Sequence, residues 1–299
     1  MVGMGSLEHL RLLVNESSDN EYRRDLWNGT DFRIHDRVFI QFNGEKDVSP
    51  VRQGPLTVGY GADDHRFGPE LGLGWQVAEL LKNEDIVLVK AAWGGRSLAI
   101  DFRPPLSGEG NYSGVKPSYY GWTYRDMIRT IHYGLDHMAD YYPRFNATEG
   151  YEIAGMIWFQ GWNDMCDPPL VPEYGWNLAN FIRDVRREFD LPQLPFVIGE
   201  LGMHGDLRNH TEPWVPRVQT FRAMQKGVTL MSEFRNNTIF VPTTPYVVNN
   251  GTTYNGQYHY NGRADTCYHI GKALGRGVVQ LLMRQQKTLV ASSTTAATK

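Results

Sequence analysis

The sequence predicts an α/β protein whose mostly parallel sheet is covered by helices on both faces. Three observations predict it. Amphipathic stretches alternate with short β-branched runs, the amphipathic stretches are long enough to cross back over a sheet, and polar, Gly-containing motifs follow the runs rather than interrupt them. Strands joined by helices of that length adopt right-handed crossovers, which bury the sheet on both sides.

The elements follow in chain order. Between Asp25 and Gly61, two alternating pieces (RVFIQF and PLTVGYG) suggest a β-hairpin excursion. Leu71 to Leu81 places apolar residues at helical spacing after Pro69-Glu70, and Ile86 to Ala92 follows as a buried strand. Phe102 to Tyr120 is rich in Pro, Gly, Ser and Tyr and reads as a loop. Both 25–61 and 102–120 read as insertions, and two readings stay open for them: walls of a substrate cleft, or surface loops with no ligand role. Trp122 to Tyr141 is a long amphipathic helix, with Tyr151 to Phe159 as the next strand. A helix over Trp176 to Phe189 ends before Pro192 and leads to the strand Phe196 to Leu201. A helix near Pro216 to Lys226 precedes the strand Thr238 to Val241, and Asn261 to Met283 closes the pattern as a long helix. Residues 1–290 are expected to form one domain, and the Ser/Thr/Ala-rich tail from Ala291 to Lys299 to be disordered.

Composition narrows the function classes. The chain has 299 residues, 41% of them hydrophobic, with 33 acidic against 30 basic side chains. That length supports a sizeable core, and no Lys/Arg run builds the positive stripe of a nucleic-acid binder. No stretch of about 18 apolar residues offers a membrane span. A small-molecule or glycan partner fits better. Seven Asn-x-Ser/Thr sequons (Asn15, Asn28, Asn111, Asn146, Asn209, Asn236, Asn250) fit a secreted protein, whereas the N-terminus lacks a leader pattern; the compartment stays open. Cys166 and Cys267 are too few for a disulfide scaffold. Each reads as a small buried hydrophobe, with a single bridge between them as the alternative.

Three motifs lie where an open α/β sheet binds ligands, just past strand ends or in the last loop. In Trp93-Gly94-Gly95-Arg96-Ser97-Leu98, the glycines let the backbone turn sharply and present an N–H without a Cβ in the way. In Trp158-Phe159-Gln160-Gly161-Trp162-Asn163-Asp164, the Asn163 amide can donate to a developing oxyanion and Gln160 can orient it or bind a hydroxyl. In Asn255-Gly256-Gln257-Tyr258-His259-Tyr260, a histidine stands before the last helix, a good place for a general base. Singly, each has an ordinary explanation: a tight turn, an Asx turn, a surface histidine. Aromatic neighbours (Trp93, Trp158, Trp162, Tyr119, Tyr120) suit stacking on a pyranose.

Together and in this order, the motifs resemble those of the SGNH hydrolases, in the carbohydrate-esterase branch with sialate O-acetylesterase-like and plant acetylxylan esterase-like proteins. Met1-Val2-Gly3-Met4-Gly5 resembles the stretch that follows that family's Gly-Gln-Ser-Asn-Met loop. Gly94-Gly95-Arg96-Ser97-Leu98 resembles its second block, Gln160-Gly161-Trp162-Asn163-Asp164 its third, and His259-Tyr260 its last. The resemblance implies a three-layer α/β/α fold with a flavodoxin-like parallel sheet, and acetyl-ester hydrolysis on a small or polymeric carbohydrate. A serine just upstream of Met1 would attack, His259 would take its proton, and Gly95 and Asn163 would hold the oxyanion, with Gln160, Arg96 and Trp162 on the substrate. No metal or organic cofactor is implied, nor a nucleic-acid or membrane partner.

By the same resemblance the serine and the first strand precede Met1, so the chain as given is expected to be inactive. Ser6 falls too late to replace that serine. Where the family often has an Asp three residues before the histidine, this chain has Gly256, so a Ser-His pair would work without its usual third member or borrow another carboxylate such as Glu200, or less readily Asp265. A non-catalytic carbohydrate-binding relative is the alternative.

Overall fold

A computed structural model of the protein describes residues 2–16, 20–44, 51–248 and 258–297, and the side chains of all of these except 258 and 289–297. The chain begins with β1 (Gly5–Ser6), α1 (Leu7–Glu16), α2 (Glu21–Leu26), β2 (Val38–Asn43), β3 (Arg52–Pro55) and β4 (Arg66–Phe67). Then come α3 (Glu70–Leu80), β5 (Ile86–Ala91), α4 (Trp122–Asp136), β6 (Met156–Trp158), α5 (Trp162–Cys166) and α6 (Tyr174–Glu188). The last elements are β7 (Phe196–Gly199), α7 (Val215–Val228), β8 (Thr238–Val241) and α8 (Ala264–Ala297).

Hydrogen bonding divides the strands into three groups, ordered β3-β2-β5, β6-β7-β8 and β1-β4. The parallel pairings β2–β5, β6–β7 and β7–β8 match the expected crossovers. Among the described residues, β5 and β6 are not paired with each other. All six residues of β5 keep partial solvent access, whereas β7 is buried throughout.

Strand alternation explains the helices on both faces. Val38, Ile40 and Phe42 of β2 pack with Leu56 and with Ala78 of α3, while Phe39 points the other way, onto Met138 and Tyr141 beyond α4. In β7, the Phe196 ring meets Phe181 of α6 edge-on at 6.3 Å, and Val197 faces Gly277 of α8.

The expected excursion over 25–61 is half right. β2 is buried and parallel to β5, and is therefore part of the main strand set; only its antiparallel partner, Arg52–Pro55, forms a hairpin with it, earlier in the chain than the PLTVGYG piece. The strand expected over Tyr151–Phe159 shrinks to Met156–Trp158. The last helix starts three residues later than expected because His259, Tyr260 and Asn261 hold left-handed backbone angles (φ of 61°, 54° and 56°). No Gly or Pro follows Gly277, so α8 runs on to Ala297 and takes in residues of the tail expected to be disordered. Cys166 is exposed and Cys267 buried, and both are free, so the alternative of a bridge is set aside. Of the sequon asparagines, Asn15, Asn28, Asn111, Asn146, Asn209 and Asn236 are exposed; Asn250 lies outside the described residues.

With β5 and β6 unpaired, the joint between the two strand groups falls largely to α3 and α8. These helices approach so closely that a Cβ on Gly72 would stand 2.0 Å from the Tyr268 carbonyl oxygen, and one on Gly271 would stand 2.0 Å from that of Pro69. Neither neighbour is a flexible side-chain end, so the helices would have to separate. Gly72→Ala is therefore expected to cost about 1–3 kcal/mol, read as a lowered midpoint of thermal denaturation. An unchanged midpoint would show that this contact does not set the helix spacing.

Candidate active site

The loops that leave β2, β5, β6 and β7 converge at the strands' carboxyl ends, around a cavity of about 360 Å³. Gly95, Arg96, Gln160, Trp162, Asn163 and His259, the six residues singled out in the sequence, all line it. Val2 and Met4 line it as well, so the first described residues sit at the same rim. Of the two insertions, 25–61 contributes Phe42 and Gly44, and 102–120 contributes no lining residue.

Each residue is delivered by local backbone chemistry. Gly95 has φ +65°, and a Cβ there would point toward Asn163, 4.0 Å from its Nδ2. The Gly95 turn and the Asn163 amide therefore face each other across a space that a larger residue would occupy. Trp162 lies 5.5 Å from the ring of His204, which in turn lies 4.3 Å from Trp214, an aromatic row leading away from the cavity. The Arg96 guanidinium lies 4.6 Å over Trp122. Trp158, considered above for sugar stacking, is instead buried in the core, where its indole N–H reaches the Tyr174 hydroxyl at 3.3 Å.

Asp164 closes the Gln160–Asp164 motif, and its part in the site is not evident from sequence position. It is fully buried, and its carboxylate accepts the backbone N–H groups of Leu98 (2.8 Å) and Ala99 (2.8 Å) together with Nε2 of Gln160 (2.7 Å). Gln160 also donates to the Arg96 carbonyl at 2.9 Å, and Tyr174 donates to the Gln160 carbonyl at 2.9 Å. Asp164 and Gln160 thus tie the loop after β5 to the loop after β6, although the two strands share no ladder. A carboxylate directly after an Asn at a strand's end was the available signal, and only its burial shows its use.

His259 sits in the left-handed turn before α8, which costs about 1–2 kcal/mol per non-Gly residue and marks a strained site. Burial, above all, holds its imidazole below the ordinary range, which favours the neutral ring near pH 7. That is the form a general base needs. Both carboxylates considered as its partner carry other contacts. Glu200 accepts from the Thr243 and Thr244 N–H groups at 2.9 and 3.0 Å, and Asp265 pairs with Arg263. Gly256 lies outside the described residues.

A family model described as carbohydrate esterase, sialic acid-specific acetylesterase matches residues 23–278. The chain belongs to this family. The matched span holds Gly95, Asn163 and His259. Among solved structures, a protein from Arabidopsis thaliana superposes with a TM-score of 0.53 at 16% identity, over 85% of this chain and 87% of that one. A structure described as a novel carbohydrate acetylesterase from Xanthomonas citri superposes with a TM-score of 0.50 at 15% identity, over 83% of this chain and half of that longer one. At such identities the likeness speaks for the fold alone. No curated protein matches the chain.

Burial pushes the Asp164 carboxyl up to about 6, outweighing the lowering by its N–H donors. A carboxyl raised on folding favours the folded state while protonated; that contribution is present below about pH 4 and is lost as the pH climbs past about 6. Asp164→Asn removes the titration. Between pH 4 and 7, the wild-type protein should therefore lose on the order of 3 kcal/mol relative to the variant in denaturant melts. Parallel stability curves would show that the carboxyl is not held in this way.

Proposed function

We propose that the cavity is the site of a carbohydrate O-acetylesterase working by serine hydrolysis. One observation carries the reading: Gly95, Asn163 and His259, widely separated in sequence, line one cavity at the carboxyl ends of the strands. In this reading a serine attacks the acetyl carbonyl, neutral His259 accepts its proton, and the Gly95 N–H and Asn163 Nδ2 stabilise the oxyanion. Water then hydrolyses the acyl-enzyme by the reverse proton path, releasing acetate.

The nucleophile is the part supplied from outside the described chain. Among the described residues that line the cavity there is no serine, threonine or cysteine. Ser6 is engaged elsewhere, accepting the His9 N–H from the first turn of α1. The serine of this reading lies just ahead of Met1, at the end of a strand that fills the space between β5 and β6. The partial solvent access of β5 and the missing β5–β6 pairing support that placement. A flavodoxin-like parallel sheet would then run unbroken. The apolar and aromatic lining (Phe42, Trp93, Phe159, Trp162) fits a sugar ring carrying an acetyl group.

The test is to express the chain with its in-frame upstream codons and assay acetate release from p-nitrophenyl acetate and acetylated sugars. The extended protein should turn over both, and Asn163→Ala should lower kcat about 100- to 1000-fold. Glycan binding by the extended protein without acetate release, with the serine present, would replace the esterase by a binding protein.

A further inference from the structure

We propose that Lys90 is a positioning residue that latches residues 2–6 onto the cavity rim. Lys90 lies on β5 inside an otherwise apolar run, a costly place for a charge unless its contacts repay the burial. Its ammonium donates to the Val2 carbonyl at 2.7 Å, the Tyr60 carbonyl at 2.5 Å and Oε2 of Glu70 at 2.9 Å, and it stands 4.4 Å over the Phe42 ring. One side chain thus joins β5 to three other segments: the start of the chain, the loop at residue 60 and the first turn of α3.

The contact to Val2 separates this arrangement from an ordinary buried ion pair. Val2 and Met4 line the cavity. The residues between and beyond them are fixed from several sides. Ala62 donates its N–H to the Gly3 carbonyl at 2.8 Å, and Gly5 and Ser6 pair with Phe67 and Arg66. Gly3 and Gly68 touch so closely that a Cβ on Gly68 would lie 2.9 Å from the Gly3 Cα, while Glu70 Oε1 accepts the Gly68 N–H at 2.6 Å. Beneath this strap lies the fully buried Cys267, whose sulfur receives the N–H groups of Met4 and Gly5. For the esterase, the consequence rests on the acetylesterase reading: a serine just ahead of Met1 can be aimed at His259 only if the strap is seated.

Cys267 reports the latch without any need for activity. In a Cys166→Ser background, which removes the exposed thiol, the rate at which N-ethylmaleimide labels Cys267 measures how often the strap lifts. Lys90→Met, which keeps the stem over Phe42 but removes the charged donor, should raise that rate about 10- to 100-fold while the far-UV CD spectrum stays native. Glu70→Gln should raise it in the same direction, and carries the test if Lys90→Met does not fold. Val185→Ala, in the core beside α6, serves as the control for general destabilisation; at matched distance from its melting midpoint it should leave Cys267 protected. An unchanged labelling rate in the folded Lys90 variant, or an equal increase in the Val185 variant, overturns the proposal. In the extended esterase, Lys90→Met should lower kcat at least tenfold with KM within a few-fold. If the extended wild-type protein proves inactive, the esterase reading falls and the thiol rates still decide the latch.

Discussion

The buried carboxylate of Asp164 is the constraint on which the site depends. The strand groups on either side of the cavity share no backbone ladder, so the relative position of their loops is not set by sheet register. Asp164 sets it instead, by accepting N–H groups from Leu98 and Ala99 while itself belonging to α5. Gln160 adds the contact to the Arg96 carbonyl. The burial cost that raises the Asp164 carboxyl is the cost of holding Gly95 opposite Asn163. Below the site, the close contact of α3 with α8 holds the same two halves together, and the two joints serve different ends: one spaces the layers, the other shapes the cavity.

A third joint acts from the start of the chain. Residues 2–6 lie between Lys90, the Ala62 turn, β4 and Cys267, so the cavity wall they form is held by polar contacts rather than by a long strand. The left-handed turn at His259 faces the same cavity and is itself strained. Strain there is tolerable because Tyr260 is fully buried and its hydroxyl accepts the Gly202 N–H at 3.2 Å, which fixes the turn from below.

Much of this was legible in the sequence, for reasons that particular residues make plain. Thr238 to Val241 was located to the residue because a short β-branched run bounded by polar and Pro residues has few alternatives. The motif residues were legible because glycines, amides and a histidine after strand ends have a geometric meaning in α/β folds. The buried role of β2 was not, since its continuity with β5 is a non-local pairing that periodicity does not reveal. The left-handed turn at 259–261 was hidden too, because none of His, Tyr or Asn demands that conformation. Lys90 carried a visible signal, a charge amid β-branched residues, but its three partners lie 20 to 88 residues away. Trp158 misled because an aromatic residue at a strand's end suits a core as well as a sugar.

The central claim is that this cavity is completed by a serine ahead of Met1 and activated by His259. The most direct measurement is mass spectrometry of the extended protein after treatment with a fluorophosphonate, which reacts with activated serines. The account predicts one covalent adduct, on that serine, lost in His259→Ala. An adduct on any other residue, or acetate release from a protein that takes up no adduct, would contradict it.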